Sequence, residues 1–304
     1  MEAVSLNYVD YMTAIGQLYH PVQLPLVPLA DGAGSVLEVG DAVTRFKPGD
    51  RVTTQFKSRW IAGAMRQEWE GADIGIDRDG MMREQACFDQ YPLAKAPANL
   101  ASVQAATLPI AALTAWQALE QAHVTSGQSA LPLGTGAVSL FALQFAKLRG
   151  ARVILLSSSD DKLARAKSLG ADVGINYRRH PEWYALVRDA TGGVGVDAII
   201  ETVGGTTLAQ SLGTVRMHGF IGMLGFLGGG EARILLLALI ARRVRLEGIS
   251  VASLEAHERM VAAIEATGLE PVLDHVYGFG QLREAFEHMA AGRHFGKLAI
   301  DFNL

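Results

Sequence analysis

The chain has 304 residues, of which 49% are hydrophobic and 19% are charged, and its formal net charge is -4 at pH 7. This length exceeds the usual limit of one hydrophobic core, so two domains are expected, and the balance excludes a disordered or fibrous chain. The weak negative charge gives no electrostatic reason to expect nucleic acid or an anionic membrane as partner, which leaves a small-molecule substrate.

The cysteine content indicates the cellular compartment in which the protein is expected. Cys87 is the only cysteine, which excludes an internal disulfide and a cysteine-built zinc cluster, and we expect it to be a buried structural thiol. A single thiol suits a reducing compartment, and Glu2, Asn7 and Asp10 interrupt the apolar run that a signal peptide would need. The sequence therefore predicts a cytoplasmic protein.

The first hundred residues have the pattern of an irregular β domain. Glycine and proline punctuate short alternating runs such as residues 35–39 and 51–54, and the pattern changes near Ala101. Near the C-terminus a strand, a helix and a strand are predicted at residues 271–276, 282–291 and 297–301. We therefore expect one domain from residues 1–100 completed by 268–304, and a second from residues 101–267.

The second domain alternates short apolar runs with helical patterns, which is typical of βαβ units in a mainly parallel sheet. One helix is predicted near residues 161–169, with Ser159 or Asp160 as N-cap and Gly170 at its end. The apolar stretch 234–240 is too short to span a bilayer, and we interpret it as a buried helix. The six candidate strands are residues 129–133, 152–156, 173–176, 196–201, 220–224 and 244–250.

A glycine turn lies between the first of these strands and a helix predicted at residues 138–148. It reads Gly134-Thr135-Gly136-Ala137-Val138-Ser139. This position is where a dinucleotide pyrophosphate meets a helix N-terminus, so the turn predicts a dinucleotide site. Ser139 stands where a third glycine is usual, and Pro132 is expected to shorten or distort the strand because proline lacks a ladder donor.

The end of the second strand indicates which dinucleotide is bound. NAD sites place an acid about twenty residues after the glycine turn, but this chain has Ser157, Ser158 and Ser159 there. Lys162, one turn further on, can pair with a 2′-phosphate, which favours NADP over NAD. The alternative is that Lys162 is a solvated helix residue facing Asp161.

Two further stretches carry a family resemblance. Together with the turn, the motif Phe46-Lys47-Pro48-Gly49-Asp50-Arg51-Val52 and the run at residues 105–116 resemble the medium-chain dehydrogenase/reductase superfamily, and most of all its quinone oxidoreductase-like branch. The resemblance extends over nearly the whole chain. It implies a GroES-like irregular β catalytic domain and a Rossmann domain with a doubly wound parallel sheet, and hence the α/β class.

The resemblance also places the zinc ligands of related alcohol dehydrogenases. Those enzymes use a cysteine, a histidine and a second cysteine at the positions that Asn7, Ala30 and Ile110 occupy here. A catalytic zinc needs about three N, S or O ligands, which alanine and isoleucine cannot supply. We therefore expect no metal site and no zinc mechanism.

Without zinc, hydride transfer relies on positioning and on hydrogen bonds to the substrate oxygen that gains charge. Asn7 and Tyr8 are the candidate donors. The alternatives are that Asn7 is a turn residue and Tyr8 a hydrogen-bonded core tyrosine. Asp10 is a third candidate catalytic residue, for which a structural role is favoured. By resemblance, Lys162 and Tyr177 contact the 2′-phosphate. The residues expected to bind the cofactor are Thr114, Gly134, Thr135, Gly136, Ala137, Val138, Ser157, Ser158, Lys162, Tyr177, Val203, Leu224, Gly225, Phe226, Phe295 and Lys297.

These features predict an NADPH-dependent, zinc-independent oxidoreductase acting on quinones or on activated carbonyl compounds such as enals and enones. Two alternatives remain. One is a cofactor-binding subunit with weak or no turnover. It is motivated by Pro132 and by the β hairpin that the superfamily normally has before the segment matching residues 3–10, inside which this sequence starts. The other is an NAD-linked alcohol dehydrogenase. By resemblance the protein is expected to form a homodimer through the strand near residues 244–250, whose edge would otherwise be unpaired.

Overall fold

The structure is a computed structural model that describes residues 1–18 and 21–304. Two compact units make up the chain: unit 1 consists of Met1–Leu113 and Val251–Leu304, and unit 2 of Thr114–Ser250. These bounds differ from the expected ones. The segments 101–113 and 251–267 belong to unit 1 because their helices pack on its sheet.

Unit 1 is built on a six-stranded sheet in the order β11-β12-β1-β2-β3-β4. Strand β1 pairs antiparallel with both β12 and β2, with Val4 opposite Ile300 on one side and Gly32 on the other. The first and last strands of the chain are thereby neighbours. The bounds are β1 Ala3–Ser5, β2 Asp31–Ser35, β3 Arg51–Thr54, β4 Leu93–Lys95, β11 Leu273–Gly278 and β12 Lys297–Asp301.

The helices of unit 1 cover this sheet and its irregular connections. A π-helical stretch at Leu108–Ala112 follows α2 and is almost wholly buried. The core of the sheet includes Val4, Leu6, Leu298 and Ile300. The helix bounds are α1 Tyr8–Ala14, α2 Ser102–Ala105, α9 Leu254–Thr267 and α10 Leu282–Ala290, with short 3-10 turns at Gln67–Trp69 and Phe279–Gln281.

Unit 2 is a parallel sheet of six strands in the order β10-β9-β8-β5-β6-β7. Counted from β5, this is the 3-2-1-4-5-6 order of the Rossmann fold, so the predicted α/β class and doubly wound sheet are confirmed. The bounds are β5 Ser129–Pro132, β6 Arg152–Ser157, β7 Val173–Asn176, β8 Val196–Glu201, β9 Val215–Met223 and β10 Arg245–Gly248.

Five helices, α4 to α8, connect these strands, and α3 precedes the first of them. Ser159 caps α5, where its side chain accepts from the amide of Lys162, so the first of the two expected N-caps is the one observed. The core under the sheet contains Leu131, Ile154, Ile199 and Ile221. The helix bounds are α3 Leu113–Gln121, which spans the boundary of the units, α4 Ala137–Leu148, α5 Asp160–Ser168, α6 Trp183–Ala190, α7 Leu208–Thr214 and α8 Leu236–Arg242.

Two expectations about burial are wrong. The stretch 234–240 enters helix α8 but has no buried residue, because this short helix packs on α7 and β9 through one stripe alone and turns the rest of its surface outward. Leu236 and Ile240 are 64% and 68% exposed. Cys87, expected to be a buried thiol, is exposed because it lies on an irregular segment outside the sheets.

The apolar stretches are short. In the described part of the chain, no helix has both the length and the hydropathy required to cross a bilayer.

Candidate active site

The glycine turn has the geometry that a pyrophosphate requires. Strand β5 ends at Pro132 and helix α4 begins at Ala137, with Gly136 as its N-cap residue. Gly134 has a φ of +87°, which side-chain-bearing residues rarely adopt. A Cβ added at Gly136 would meet no heavy atom within 4 Å. The backbone of the turn is therefore open to a ligand, and the unpaired amides at the start of α4 can receive an anion.

The two irregular residues of this motif each have a structural explanation. The hydroxyl of Ser139 donates to the carbonyl of Leu133 at 2.7 Å, so the serine ties α4 to the strand end where a third glycine would allow close packing. Strand β5 is shortened as expected at Pro132. Its ladder to β6 has partners at Ser129 and Ala130 and resumes as an isolated bridge at Leu133.

The residues predicted to hold the adenosine end lie at neighbouring strand ends. Ser157 closes β6 and stands opposite Asn176 of β7. The amide of Tyr177 donates to the carbonyl of Ser157 at 3.0 Å, and the Tyr177 ring is 41% exposed. Lys162 follows in the first turn of α5. The structure thus brings Ser157, Ser158, Lys162 and Tyr177 to one edge of the sheet.

A buried acid organises the loops after β8 and β9. The carboxylate of Glu201, which is 0% exposed, accepts from the amides of Val203 and Gly204 at 3.0 and 3.1 Å and from two nearby hydroxyls. The amide of Leu224 donates to the carbonyl of Glu201 at 2.9 Å. These bonds hold Val203 close to the segment with Leu224, Gly225 and Phe226, as the predicted cofactor site requires.

In unit 1, Asn7 is the N-cap residue of helix α1, and its backbone is held by Asp10 in the first turn of that helix. Asp10 accepts from the amide of Asn7 at 2.8 Å with one oxygen and from the amide of Ala30 at 3.0 Å with the other. Burial and the nearby charge of Asp31 raise the pKa of Asp10 to about 7. Because both oxygens already bond to backbone, the geometry supports the favoured structural role for Asp10.

The amide group of Asn7 is fixed from two sides. Its Nδ2 donates to Oδ2 of Asp31 at 2.8 Å, and its Oδ1 accepts from Nζ of Lys297 at 2.9 Å. Lys297 can only donate, so the orientation of the amide is unambiguous, and one hydrogen on Nδ2 remains for another acceptor. Tyr8, the next residue, is 41% exposed.

Lys297 does not present itself to a cofactor, contrary to the prediction. It is 1% exposed, and its ammonium donates to the carbonyl of Leu6 as well as to Asn7, with Asp31 at 3.4 Å. An ammonium has three hydrogens, so all are used within the protein. Burial lowers the pKa of Lys297, and the charges of Asp31 and Asp10 oppose that shift.

Two other predicted cofactor residues are also buried. Phe295 is 1% exposed, so its side chain belongs to the core of unit 1 and offers no surface to a ligand. Thr114, at the start of unit 2, is 6% exposed.

Two of the three positions matching zinc ligands are apolar. Ala30 is fully buried in a cluster with Phe56, Ile76 and Val251, and Ile110 packs against the same cluster. No group of three or more His, Cys, Asp or Glu able to hold a metal ion occurs within residues 1–18 and 21–304. These residues do not fit a catalytic zinc, which needs nitrogen, sulfur or oxygen ligands.

Three residues of unit 2 have functional side-chain roles that sequence reasoning did not assign. Glu201 organises the loops described above, and its signal was an acid that closes a strand after three apolar residues. Asp160 and Arg179 form an ion pair beside Tyr177, which no spacing rule connects.

Comparisons with known proteins agree with this architecture. The family description "Alcohol dehydrogenase GroES-like domain" matches residues 1–98, and "Zinc-binding dehydrogenase" matches residues 137–267. A chain that combines a GroES-like unit with a nucleotide-binding Rossmann unit has the architecture of an NAD(P)-dependent dehydrogenase.

Two relatives are similar to this chain over almost its whole length. A zinc-type alcohol dehydrogenase-like protein of Schizosaccharomyces pombe is 40% identical, over 99% of this chain and 89% of its own length. A quinone oxidoreductase-like protein 2 homolog of Nematostella vectensis is 28% identical, over 99% and 80%.

Two solved structures superpose over 99% of the chain. One, from Sinorhizobium meliloti 1021 and named as an alcohol dehydrogenase, is 40% identical, covered over 89% of its length, with a TM-score of 0.94. The other, named NAD-dependent alcohol dehydrogenase, is 32% identical, covered over 90%, with a TM-score of 0.88. The chain belongs to the medium-chain dehydrogenase/reductase superfamily of NAD(P)-dependent oxidoreductases.

Proposed function

We propose that the protein is an NADPH-dependent, zinc-independent reductase of quinones or of conjugated enals and enones. The observation that carries the proposal is the glycine turn before α4, in which Gly134 has a positive φ and Gly136 leaves the backbone uncovered. Backbone amides at a helix N-terminus favour a bound anion, and the pyrophosphate of a dinucleotide matches them.

The adenosine end supports NADPH. Ser157 and Ser158 occupy the place where an acid would hold the ribose hydroxyls of NAD, so no carboxylate on the strand end repels a 2′-phosphate. Lys162 and the exposed ring of Tyr177 lie at the same sheet edge, where we propose that they contact that phosphate. An ammonium near a phosphate is stabilising in partly solvated surroundings.

Unit 1 supplies hydrogen-bond donors for the substrate. When bound, the reduced nicotinamide supplies a hydride, and the substrate oxygen gains negative charge as its conjugated carbon accepts that hydride. We propose that the remaining Nδ2 hydrogen of Asn7 and the Tyr8 hydroxyl donate to this oxygen. Asn7 donates to Asp31 and accepts from Lys297, and these two bonds hold its amide in one orientation, so the donor is preorganised.

The substrate class follows from the zinc-ligand positions. A Lewis acid assists the oxidation of a simple alcohol by polarising its oxygen, and Ala30 and Ile110 supply no ligand for one. A quinone or an enone already has an electron-poor carbon, so hydrogen bonds can suffice. The name of the Nematostella relative agrees with this class.

A substrate panel tests the proposal. We expect purified protein to oxidise NADPH in the presence of a quinone, an enal or an enone, and to keep its activity after exhaustive chelation. Asn7→Ala should lower kcat by roughly a hundredfold to a thousandfold, the range for loss of one donor to a developing oxyanion. Failure to bind NADPH at high concentration would overturn the proposal.

An NAD-linked alcohol dehydrogenase is the second candidate. It is favoured by the similarity to a structure named NAD-dependent alcohol dehydrogenase. This candidate predicts tighter binding of NADH than of NADPH, alcohol-dependent reduction of NAD, and no change in affinity on Lys162→Ala.

The surface of unit 2 supports the proposal that the protein forms a homodimer. Strand β10 is the edge of the parallel sheet, and α8 beside it exposes Leu236, Leu237 and Ile240. An open strand edge together with an apolar patch favours pairing with a second copy about a two-fold axis.

A further inference from the structure

We propose that Arg179 makes the dinucleotide site selective for NADPH by neutralising Asp160, an acid that would otherwise repel the 2′-phosphate. This inference rests on the proposed function. Arg179 acts through Asp160 and needs no contact with the cofactor, so it is a positioning and charge-balancing residue rather than a catalytic one.

Asp160 is the first acid in the chain after strand β6, at whose end an adenosine ribose would lie. It is the first residue of α5 and lies three positions after Ser157, the last residue of β6. In NAD-binding sites, an acid at the end of this strand accepts hydrogen bonds from the ribose hydroxyls. The three-serine run moves the acid past the strand end without removing its charge from the neighbourhood.

Both carboxylate oxygens of Asp160 are engaged on the side of β7. Oδ1 accepts from Nδ2 of Asn176 at 2.7 Å, and Oδ2 pairs closely with the guanidinium of Arg179. The bonds turn the acid toward the segment after β7. They also satisfy both oxygens, so the acid has less capacity to accept from ribose hydroxyls.

Asn176 connects this pair to Tyr177, the residue that we propose to contact the 2′-phosphate. Its Oδ1 accepts from the amide of Arg178 at 3.0 Å, which orients its amide nitrogen toward Asp160. Its backbone carbonyl accepts from the amide of Arg179 at 3.2 Å, while Tyr177 between them bonds to Ser157. One turn thus sets the positions of both Arg179 and Tyr177.

The ion pair has little value for folding, which points to another role. The side chains of Arg179 and Asp160 are 70% and 47% exposed, and pairs this exposed contribute little to stability. An unpaired carboxylate within several ångströms of a doubly charged phosphate, by contrast, weakens its binding. NADH lacks that phosphate and is not affected in the same way.

The test compares dissociation constants for NADPH and NADH, measured by nicotinamide fluorescence at low ionic strength. Arg179→Gln should weaken NADPH binding about three- to tenfold and leave NADH binding unchanged or tighter. The loss should shrink as salt is added, because the charges are exposed. The double variant Asp160→Asn with Arg179→Gln should restore the NADPH affinity, since no carboxylate remains to repel the phosphate.

The matched control is Lys167→Gln, which removes one positive charge from the C-terminal end of α5, the helix that Asp160 begins, and should leave the NADPH/NADH ratio unchanged. An equal change in both affinities, no change in the ratio, or a double variant that stays impaired would overturn the role of Arg179. These outcomes differ from failure of the proposed function, in which the wild-type protein binds neither dinucleotide and both proposals fall.

Discussion

Nζ of Lys297 lies 2.9 Å from Oδ1 of Asn7. Lys297 is the first residue of strand β12 and Asn7 is the N-cap residue of helix α1, so the last strand orients the residue that caps the first helix. The same ammonium lies 3.4 Å from Asp31, and both charged groups are almost completely buried. Lys297 therefore acts on the candidate active site through its hydrogen bond to Asn7. Its buried ion pair with Asp31 also has consequences for stability.

Lys297→Met should destabilise the protein strongly. The substitution leaves Asp31 as a buried carboxylate without its cation, a change that typically costs about 3–5 kcal/mol. Urea unfolding measures the loss. Lys167→Met, at an exposed helix position, should change stability by no more than about 0.5 kcal/mol. Equal unfolding midpoints for the two variants would contradict the assigned ion pair.

The titration of Asp10 should make stability fall as pH rises toward neutrality. Its pKa is about 7 in the folded chain and 3.8 without the fold, so between these values the folded state binds more protons than the unfolded state. The stability contributed by protonated Asp10 is full near pH 4 and is lost as pH rises through about 7, at up to about 1.4 kcal/mol per pH unit. Unfolding of wild type and Asp10→Asn from pH 5 to 8 checks this, because the variant should show a flatter slope. Parallel slopes would rule the effect out.

Gly136→Val should separate cofactor binding from folding. The position has a φ of -75° and an added Cβ meets no atom, so the fold should tolerate the side chain. The branched side chain would cover the backbone amides that receive the pyrophosphate, so NADPH binding should weaken more than tenfold. Gly134→Ala is the contrasting variant: its φ of +87° should cost about 1–2 kcal/mol of stability. Unchanged NADPH binding by Gly136→Val would place the pyrophosphate elsewhere.

Glu201 should tolerate an amide but not truncation. In Glu201→Gln, Oε1 can keep the bonds from Val203, Gly204 and Thr207, while the amide nitrogen donates to the hydroxyl of Ser211. Glu201→Ala leaves several buried donors without an acceptor, at about 1–3 kcal/mol each before relaxation. We expect Glu201→Ala to lose both stability and NADPH affinity, and Glu201→Gln to keep most of each. Similar unfolding curves and affinities for the two variants would show that the loop does not depend on this carboxylate.

Charges on helix α8 should dissociate the proposed homodimer. Leu237 and Ile240 are 67% and 68% exposed, and Leu237→Asp with Ile240→Asp would place two carboxylates in an apolar interface. Sedimentation velocity should show a dimer for wild type and a monomer for the variant. Leu37→Asp, at a comparably exposed site in unit 1, should remain dimeric. A monomeric wild type would remove the proposal.

Much of unit 2 could be predicted from local pattern. Apolar runs of strand length, the cap at Ser159 and the turn at Gly134 are properties of a few consecutive residues, and the observed strands follow them closely. Helix α8 was misjudged because seven consecutive residues, nearly all apolar, look the same whether they face a core or a partner. Periodicity records the apolar character of a segment, and only packing decides which side is covered.

The sequence by itself determined the fold class, the dinucleotide turn and the apolar residues at Ala30 and Ile110, because each depends on residue type at one place in the chain. The tertiary structure decided what Lys297 does, since its partners Asn7 and Asp31 are 290 and 266 residues away in sequence. It likewise placed Arg179 beside Asp160, through the pairing of β6 with β7. Charges take their meaning from the groups within a few ångströms, and those neighbours are set by how the strands are ordered in the sheet.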